Sequence, residues 1–344
     1  MQIAVTDIQS WNDALAGERL MQAIALGVAA DDETVEKVFD RYEVTFLQGV
    51  LDPTDPHYPK ASDLKVMRDD TIASVICARR ILDRAAFASE ITDNMGLMVA
   101  NSNFIDNGVL EFETIAQAIA ELQKSNTAAE KNRSLGAGVS PLIPLRTLTN
   151  GAESFIAQYT QIKGENTTYG STCIATGHAT MDACTLINLG VSEVCLVGGS
   201  HFANVFSFLN QYLLLDAHAG YKESTSASYF LLESKEYAQK LGRKVLALID
   251  SIQFNQWPES SHNVDLVLVG GAFTSLESEK QLRKCAEHCV AKAISLYTTT
   301  GSLGCAELGV LMSVAIQSLS SNQTAMIYLE DAYGDFLTMT VMVP

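Results

Sequence analysis

No stretch of this chain approaches the ~20 consecutive apolar residues that a helix needs to span a bilayer, although 47% of its residues are apolar. The opening residues, MQIAVTDIQSWNDA, have neither a basic cluster nor a long apolar segment. No secretory signal is therefore expected, and the expected compartment is the cytoplasm. The seven cysteines (Cys77, Cys173, Cys184, Cys195, Cys285, Cys289, Cys305) are odd in number and contain no C-x-x-C pair. That argues against a disulfide framework and against a zinc site. Basic residues are scarce as well: 23 lysines and arginines stand against 40 aspartates and glutamates, for a net charge of −17. Nucleic acid needs a basic face, so it is excluded as a partner. No metal-ligand spacing and no phosphate-binding loop stands out, and Gly198-Gly199 and Gly270-Gly271 read as turns.

What is present is an alternation of strands and helices. At 344 residues the chain is long enough for one large domain or two intimate halves. Gln2 to Ile8, Met95 to Ala100, Lys244 to Ile252, Asp265 to Val269, Ala325 to Leu329 and Phe336 to Val343 read as strands. Ser62 to Ala86 reads as an amphipathic helix capped by Ser62, and Leu110 to Gln123, Glu277 to Ile294 and Leu303 to Leu319 as further helices. Strands alternating with helices throughout predict α/β layers. The histidines read blandly: His57 as a loop residue, His178 as a core histidine, His201 and His218 as polar loop residues near a pocket rim.

The stretch from Gly164 to Ser200, GENTTYGSTCIATGHATMDACTLINLGVSEVCLVGGS, organises the rest. It predicts a strand over Asn166 to Ser171, a cysteine at a sharp turn, an apolar helix to Leu189 and a second strand ending in Gly198-Gly199. A helix of that size is about 25 Å long. With almost no polar face, it is expected to be buried. Cys173 falls at its N-terminus, where free N–H groups and the helix dipole favour a thiolate. Two readings stay open there, a nucleophile and a buried structural thiol.

This stretch resembles the nucleophile region of the β-ketoacyl-ACP synthases, the condensing enzymes of fatty-acid and polyketide synthesis. Gly164 to Asn166 matches the family's Gly-Pro-Asn entry, Cys173 its acylated cysteine and Val197-Gly198-Gly199 its glycine strand end. The resemblance implies a thiolase-like, five-layered αβαβα fold of two similar halves, 1–234 and 235–344. It also implies a partner, because the family's strand before the cysteine pairs across a twofold axis.

The same resemblance marks what is missing. The family stabilises the enolate of decarboxylated malonyl-ACP with two histidines and a supporting lysine, and such donors matter by several kcal/mol each. Its first histidine opens a His-Gly-Thr-Gly-Thr motif, and here Gly270 holds that position, in Gly270-Gly271-Ala272-Phe273-Thr274. Its second lies in Lys-x-x-Thr-Gly-His-x-Leu-Gly, where Gly301 replaces the histidine and Leu296 the lysine. The family's glycine-rich loop near the C-terminus is reduced to Ala332-Tyr333-Gly334-Asp335-Phe336.

A fold kept without its decarboxylation apparatus resembles a chain-length factor, the non-condensing subunit of type II polyketide and aryl-polyene-type systems. The expectation is a heterodimer with a catalytic ketosynthase, no condensation by this chain alone, and no cofactor of its own. Acyl carrier protein, with its phosphopantetheine as substrate carrier, is expected to dock mainly on the partner, since carrier proteins are acidic like this chain. Phe202, Phe206, Phe208 and Tyr212 are candidate walls of the chain pocket, with core packing as the other reading. The alternative function is an acyltransferase in which Cys173 alone accepts and passes on acyl groups. A third reading is a purely structural protein of the same fold.

Overall fold

The computed structural model describes residues 2–12, 51–102 except 86 and 88, 124, 127–130, 142, 145, 148–203, 222–258 and 263–344. The first five strands are β1 (Ile3–Asn12), β2 (Gly96–Ser102), β3 (Asn166–Ser171), β4 (Val194–His201) and β5 (Ser226–Ser234). The others are β6 (Ala247–Phe254), β7 (Leu266–Gly270), β8 (Ala293–Ser295), β9 (Thr324–Glu330) and β10 (Phe336–Met342). All ten hydrogen-bond in the order β3-β2-β4-β5-β1-β6-β10-β9-β7-β8.

That order is one five-strand pattern used twice. In the first set β2 is parallel to β3 and β4, while β5 runs antiparallel to β4 and β1. In the second set β7 is parallel to β8 and β9, while β10 runs antiparallel to β9 and β6. The two sets join antiparallel through a short contact, Ile3 to Ile249, Ala4 to Leu248 and Val5 to Ala247.

Helices fill three layers around the strands. The main ones are α1 (Asp69–Ala85), α2 (Gly151–Thr160), α3 (Ala175–Asn188), α4 (Ser275–His288) and α5 (Glu307–Ser318). Successive strand side chains point to opposite faces, and here the two faces feed different cores. Cys195 and Val197 of β4, Leu266 and Leu268 of β7, and Ile327 and Leu329 of β9 face a central core with α3 and α5. Val194 and Leu196 face an outer core under α1 and α2, while Val267, Val269, Met326 and Tyr328 face another under α4. The resulting layers are helix, sheet, helix, sheet, helix. The central helices approach the opposite sheet closely: a Cβ at Gly177 of α3 would lie 2.6 Å from Leu337 of β10, and one at Gly309 of α5 2.9 Å from the Cβ of Ser228 in β5.

Several sequence expectations change in the structure. The first amphipathic helix starts at Asp69 rather than Ser62. Ser62 Oγ donates to Asp63 Oδ1 (2.9 Å) ahead of a single 3-10 turn, and Asp69 and Asp70 take the helix's positive end. The helix expected to run to Ile294 stops at His288, and Ala293–Ser295 pairs with β7 as an edge strand. Gly198 and Gly199 are not turns: they lie inside the fully buried β4. A Cβ at Gly199 would sit 2.6 Å from Thr176 Oγ1, so glycine there serves close packing.

The helix after Cys173 is only partly covered. Met181 is 39% and Leu189 72% exposed, on one side of α3 with exposed Thr185. By contrast α5 is buried along almost its whole length, from Glu307 through Met312 and on to Ala315. Beside the open side of α3, β3 is the end strand of the sheet among the described residues. The expected helix over residues 110–123 lies outside the described residues. Among the described residues, no helix is long and apolar enough to cross a membrane.

Candidate functional site

Strand β3 delivers the chain to Cys173, and α3 carries it away. Thr172 O accepts from Ala175 N–H at 3.0 Å, which closes the turn between them. The thiol is 1% exposed, and its S–H donates to the carbonyl of Glu330 at the end of β9 (3.7 Å). Burial pushes the Cys173 thiol well above its ordinary pKa, and the nearby Glu307, Asp331, Cys305 and Glu277 push it further. Cys173 is therefore a neutral thiol at pH 7. The thiolate-favouring helix terminus is outweighed by desolvation and by carboxylates.

The carboxylates arrive from three segments. Asp331 follows β9 and accepts from Thr172 Oγ1 (3.0 Å), Tyr333 N–H (2.9 Å) and Asp335 N–H (3.0 Å). It thereby ties the turn at Cys173 to the loop that stands where the resemblance places a glycine-rich one. Glu277 belongs to a capping box: Thr274 Oγ1 accepts from Glu277 N–H (3.2 Å) and Glu277 Oε2 from Phe273 N–H (2.7 Å). Burial raises its pKa. A cavity of about 300 Å3, lined by Thr274, Glu277, Gln281, Glu330 and Asp331, adjoins this corner.

Glu307 is the third and the most deeply placed. It opens α5, is 3% exposed, and faces Gly270 at the end of β7. A Cβ at Gly270 would lie 2.7 Å from the Glu307 carboxyl carbon. Oε2 is buried with no hydrogen-bond partner, and the neighbouring backbone N–H groups of Gly271 and Leu303 favour the charged form. Burial raises its pKa to about 7 against the pull of those two backbone groups.

The other positions flagged in the sequence are occupied as follows. Leu296 is a buried member of the central core, at the start of the short helix Tyr297–Thr300. Gly301 has φ +67°, and a Cβ there would meet the Lys222 carbonyl carbon at 2.7 Å. No side chain fits it. Phe202 is half-buried with the Arg68 guanidinium 5.7 Å above its ring. Phe206, Phe208 and Tyr212 lie outside the described residues. Among the described residues, no group of His, Cys, Asp and Glu could hold a metal ion.

Sequence reasoning missed Glu307 and misread His201. The latter is no rim residue: it ends β4, is 4% exposed, and its Nε2 is bonded to Glu223 Oε1. Its ring packs on Gly304, beside the segment where the family's second histidine would fall. The signal was the unbroken buried strand before it. Nothing in the sequence pairs residue 307 with residue 270, because they meet only across the central layer. His178 stacks on Phe254 (3.9 Å between ring centres) and is half-buried.

No family model and no curated protein matches the sequence. The fold, in contrast, has many solved counterparts. One is described as the ishigamide ketosynthase/chain length factor: 15% identity, TM-score 0.73, covering 100% of this chain and 99% of that one. A type II polyketide acyl-carrier protein in complex with its ketosynthase bound to the hexaketide gives 13% identity and TM-score 0.71 over 100% and 99% of the two chains. A β-ketoacyl synthase from Burkholderia phymatum gives 14% and 0.69 over the same shares. The strand order, the five layers and these full-length superpositions agree: this chain has the thiolase-like fold of the ketosynthases.

Proposed function

We propose that this chain is a non-condensing, chain-length-factor-like subunit that pairs with an active β-ketoacyl-ACP synthase and helps to wall the pocket for the growing acyl or polyketide chain. The observation that carries the reading is steric and electrostatic. Where the family aims cationic and neutral donors at a developing enolate, this chain has Gly270 under a carboxylate, an apolar Leu296, and Gly301 pressed on backbone. A negative group near a developing negative charge raises the barrier rather than lowering it.

The open side of α3 and the neighbouring edge strand β3 support a protein partner, since unpaired edges and apolar helix faces are normally covered. In this reading the partner is a catalytic ketosynthase, and the halves 1–234 and 235–344 are thiolase-like repeats. The carrier protein, whose phosphopantetheine bears the substrate, docks mainly on that partner; the complex is cytoplasmic. Phe202, Phe206, Phe208 and Tyr212 belong to the pocket wall.

A second reading, acyl transfer through Cys173 alone, is favoured by the cavity that ends at Glu330, whose carbonyl accepts from the thiol. Co-expression with a β-ketoacyl-ACP synthase, followed by intact mass after adding acyl-ACP, separates the two. A stable heterodimer with no acyl mass on Cys173 is expected. An acyl adduct on Cys173 of the isolated chain overturns the first reading in favour of the second.

A further inference from the structure

The loss of a histidine at position 270 does not leave a hole. The carboxyl of Glu307 lies in the space that any side chain at 270 would enter, with the carboxyl carbon 2.7 Å from a Cβ built there. The backbone N–H groups of Gly271 and Leu303 neighbour it from separate segments and favour its charged form. A backbone pair of this kind is what a carbonyl oxygen gaining negative charge would use. Here the protein's own acid stands beside it. Glu307 is also the strongest of the charged neighbours acting on the Cys173 thiol, and its second oxygen is buried without a partner.

We propose that Glu307 silences Cys173: its carboxyl fills the space above Gly270, next to the Gly271 and Leu303 N–H groups, so that no thioester carbonyl can be seated on the thiol. For acyl transfer, the Cys173 sulfur would lose its proton and bond to the thioester carbon. The carbonyl oxygen would carry the charge until the leaving thiolate departed and took up a proton. Glu307 opposes this at two points, by disfavouring the thiolate and by filling the space over Gly270 that the carbonyl would enter. Cys173 is then a thiol kept in place but out of use, and the residue that removes it from chemistry lies 134 positions along the chain.

The test is site-resolved alkylation by iodoacetamide at pH 7.5 with peptide mapping of all seven cysteines, on the full chain and on Glu307→Gln and Glu307→Ala. Each protein is then incubated with a small acyl thioester, hexanoyl-N-acetylcysteamine. Cys173 of the natural chain is expected to remain unmodified. The isosteric Gln variant, which removes charge but not bulk, should raise its alkylation rate by about tenfold. The Ala variant should go further and yield an acyl mass on Cys173. Cys77 and Cys195 are buried in other places and report unfolding. If they react along with Cys173 in the Ala variant, the Gln variant alone decides.

Rapid alkylation or acylation of Cys173 in the natural chain overturns the proposal, as does an unchanged Cys173 rate in a folded Gln variant. Pairing with a synthase is measured separately by co-purification. Silencing can thus fail while the partner reading stands, and the reverse.

Discussion

The imidazole of His201 packs against Gly304: a Cβ at residue 304 would be 2.5 Å from the ring's Nδ1. One residue ends the buried strand β4, and the other leads into α5, so this contact welds the two five-strand sets at the candidate site. Gly304 has φ +49°, which adds a backbone penalty to any side chain there. Gly304→Ala is expected to destabilise the fold by about 1–3 kcal/mol, read as a lower urea midpoint at unchanged slope. His201→Ala removes the ring bonded to Glu223 and should cost a similar amount, about 1–3 kcal/mol.

Arg68 forks both oxygens of Asp70, at 3.0 and 2.9 Å, and Ser200 Oγ adds a bond at 3.2 Å. Burial of Asp70 pushes its pKa up, but Arg68 and the hydrogen bonds outweigh burial and leave it below the ordinary value. Its contribution to stability is thus present above the unfolded pKa and lost as pH falls through the lower folded one. Arg68→Met leaves the carboxylate buried without its cation and is expected to cost about 3–5 kcal/mol at pH 7. Arg68→Met combined with Asp70→Asn should recover part of that loss in the same unfolding assay.

Glu307 gives the opposite pH signature. Its folded pKa, about 7, lies above the ordinary value of 4.5 because burial disfavours the charged form. The folded state therefore holds this proton more tightly, and the stability it contributes is full below pH 4.5 and lost as pH rises to about 7. A shift of this size corresponds to roughly 3 kcal/mol. Glu277, raised by burial as well, contributes with the same sign. Urea unfolding at pH 5 and pH 8 should show the natural chain weaker at pH 8, with the difference reduced in Glu307→Gln. An equal pH dependence in that variant would place the titration elsewhere.

The open side of α3 offers a change that separates partner binding from folding. Met181 and Leu189 are exposed in the single chain, so Met181→Lys and Leu189→Glu should alter its melting temperature little. Under the partner reading they place charge in a buried interface, and co-purification with a synthase should fall by about tenfold or more. Retained co-purification would move the interface away from α3 and β3.

Much of the fold was legible along the chain. The strand Asn166–Ser171 was placed to the residue, and most other strands within two or three, because apolar runs bounded by glycine and polar turns are local signals. Errors fell where local and tertiary forces compete. Ser62 looked like a cap, yet a carboxylate pair better suited to the helix dipole lay seven residues on. Ala293–Ser295 was hidden because three residues carry no period, and only its pairing with β7 defines it. The apolar α3 implied burial all round, but apolar composition does not say whether the covering layer belongs to the same chain.

The sequence by itself determined the α/β class, the strand, turn and helix around Cys173, and which residues stand at 270, 296 and 301: glycine, leucine and glycine. These rest on neighbouring residues and on which side chains exist at all. The tertiary structure decided the rest: the doubled sheet order, His201 as a buried partner of Glu223, and Cys173 as a neutral thiol among carboxylates. The reason is physical. A pKa, a steric exclusion or a hydrogen-bond donor's availability depends on groups a few ångströms away in space, and Glu307 reaches Gly270 only once both sheets have closed on the central helices.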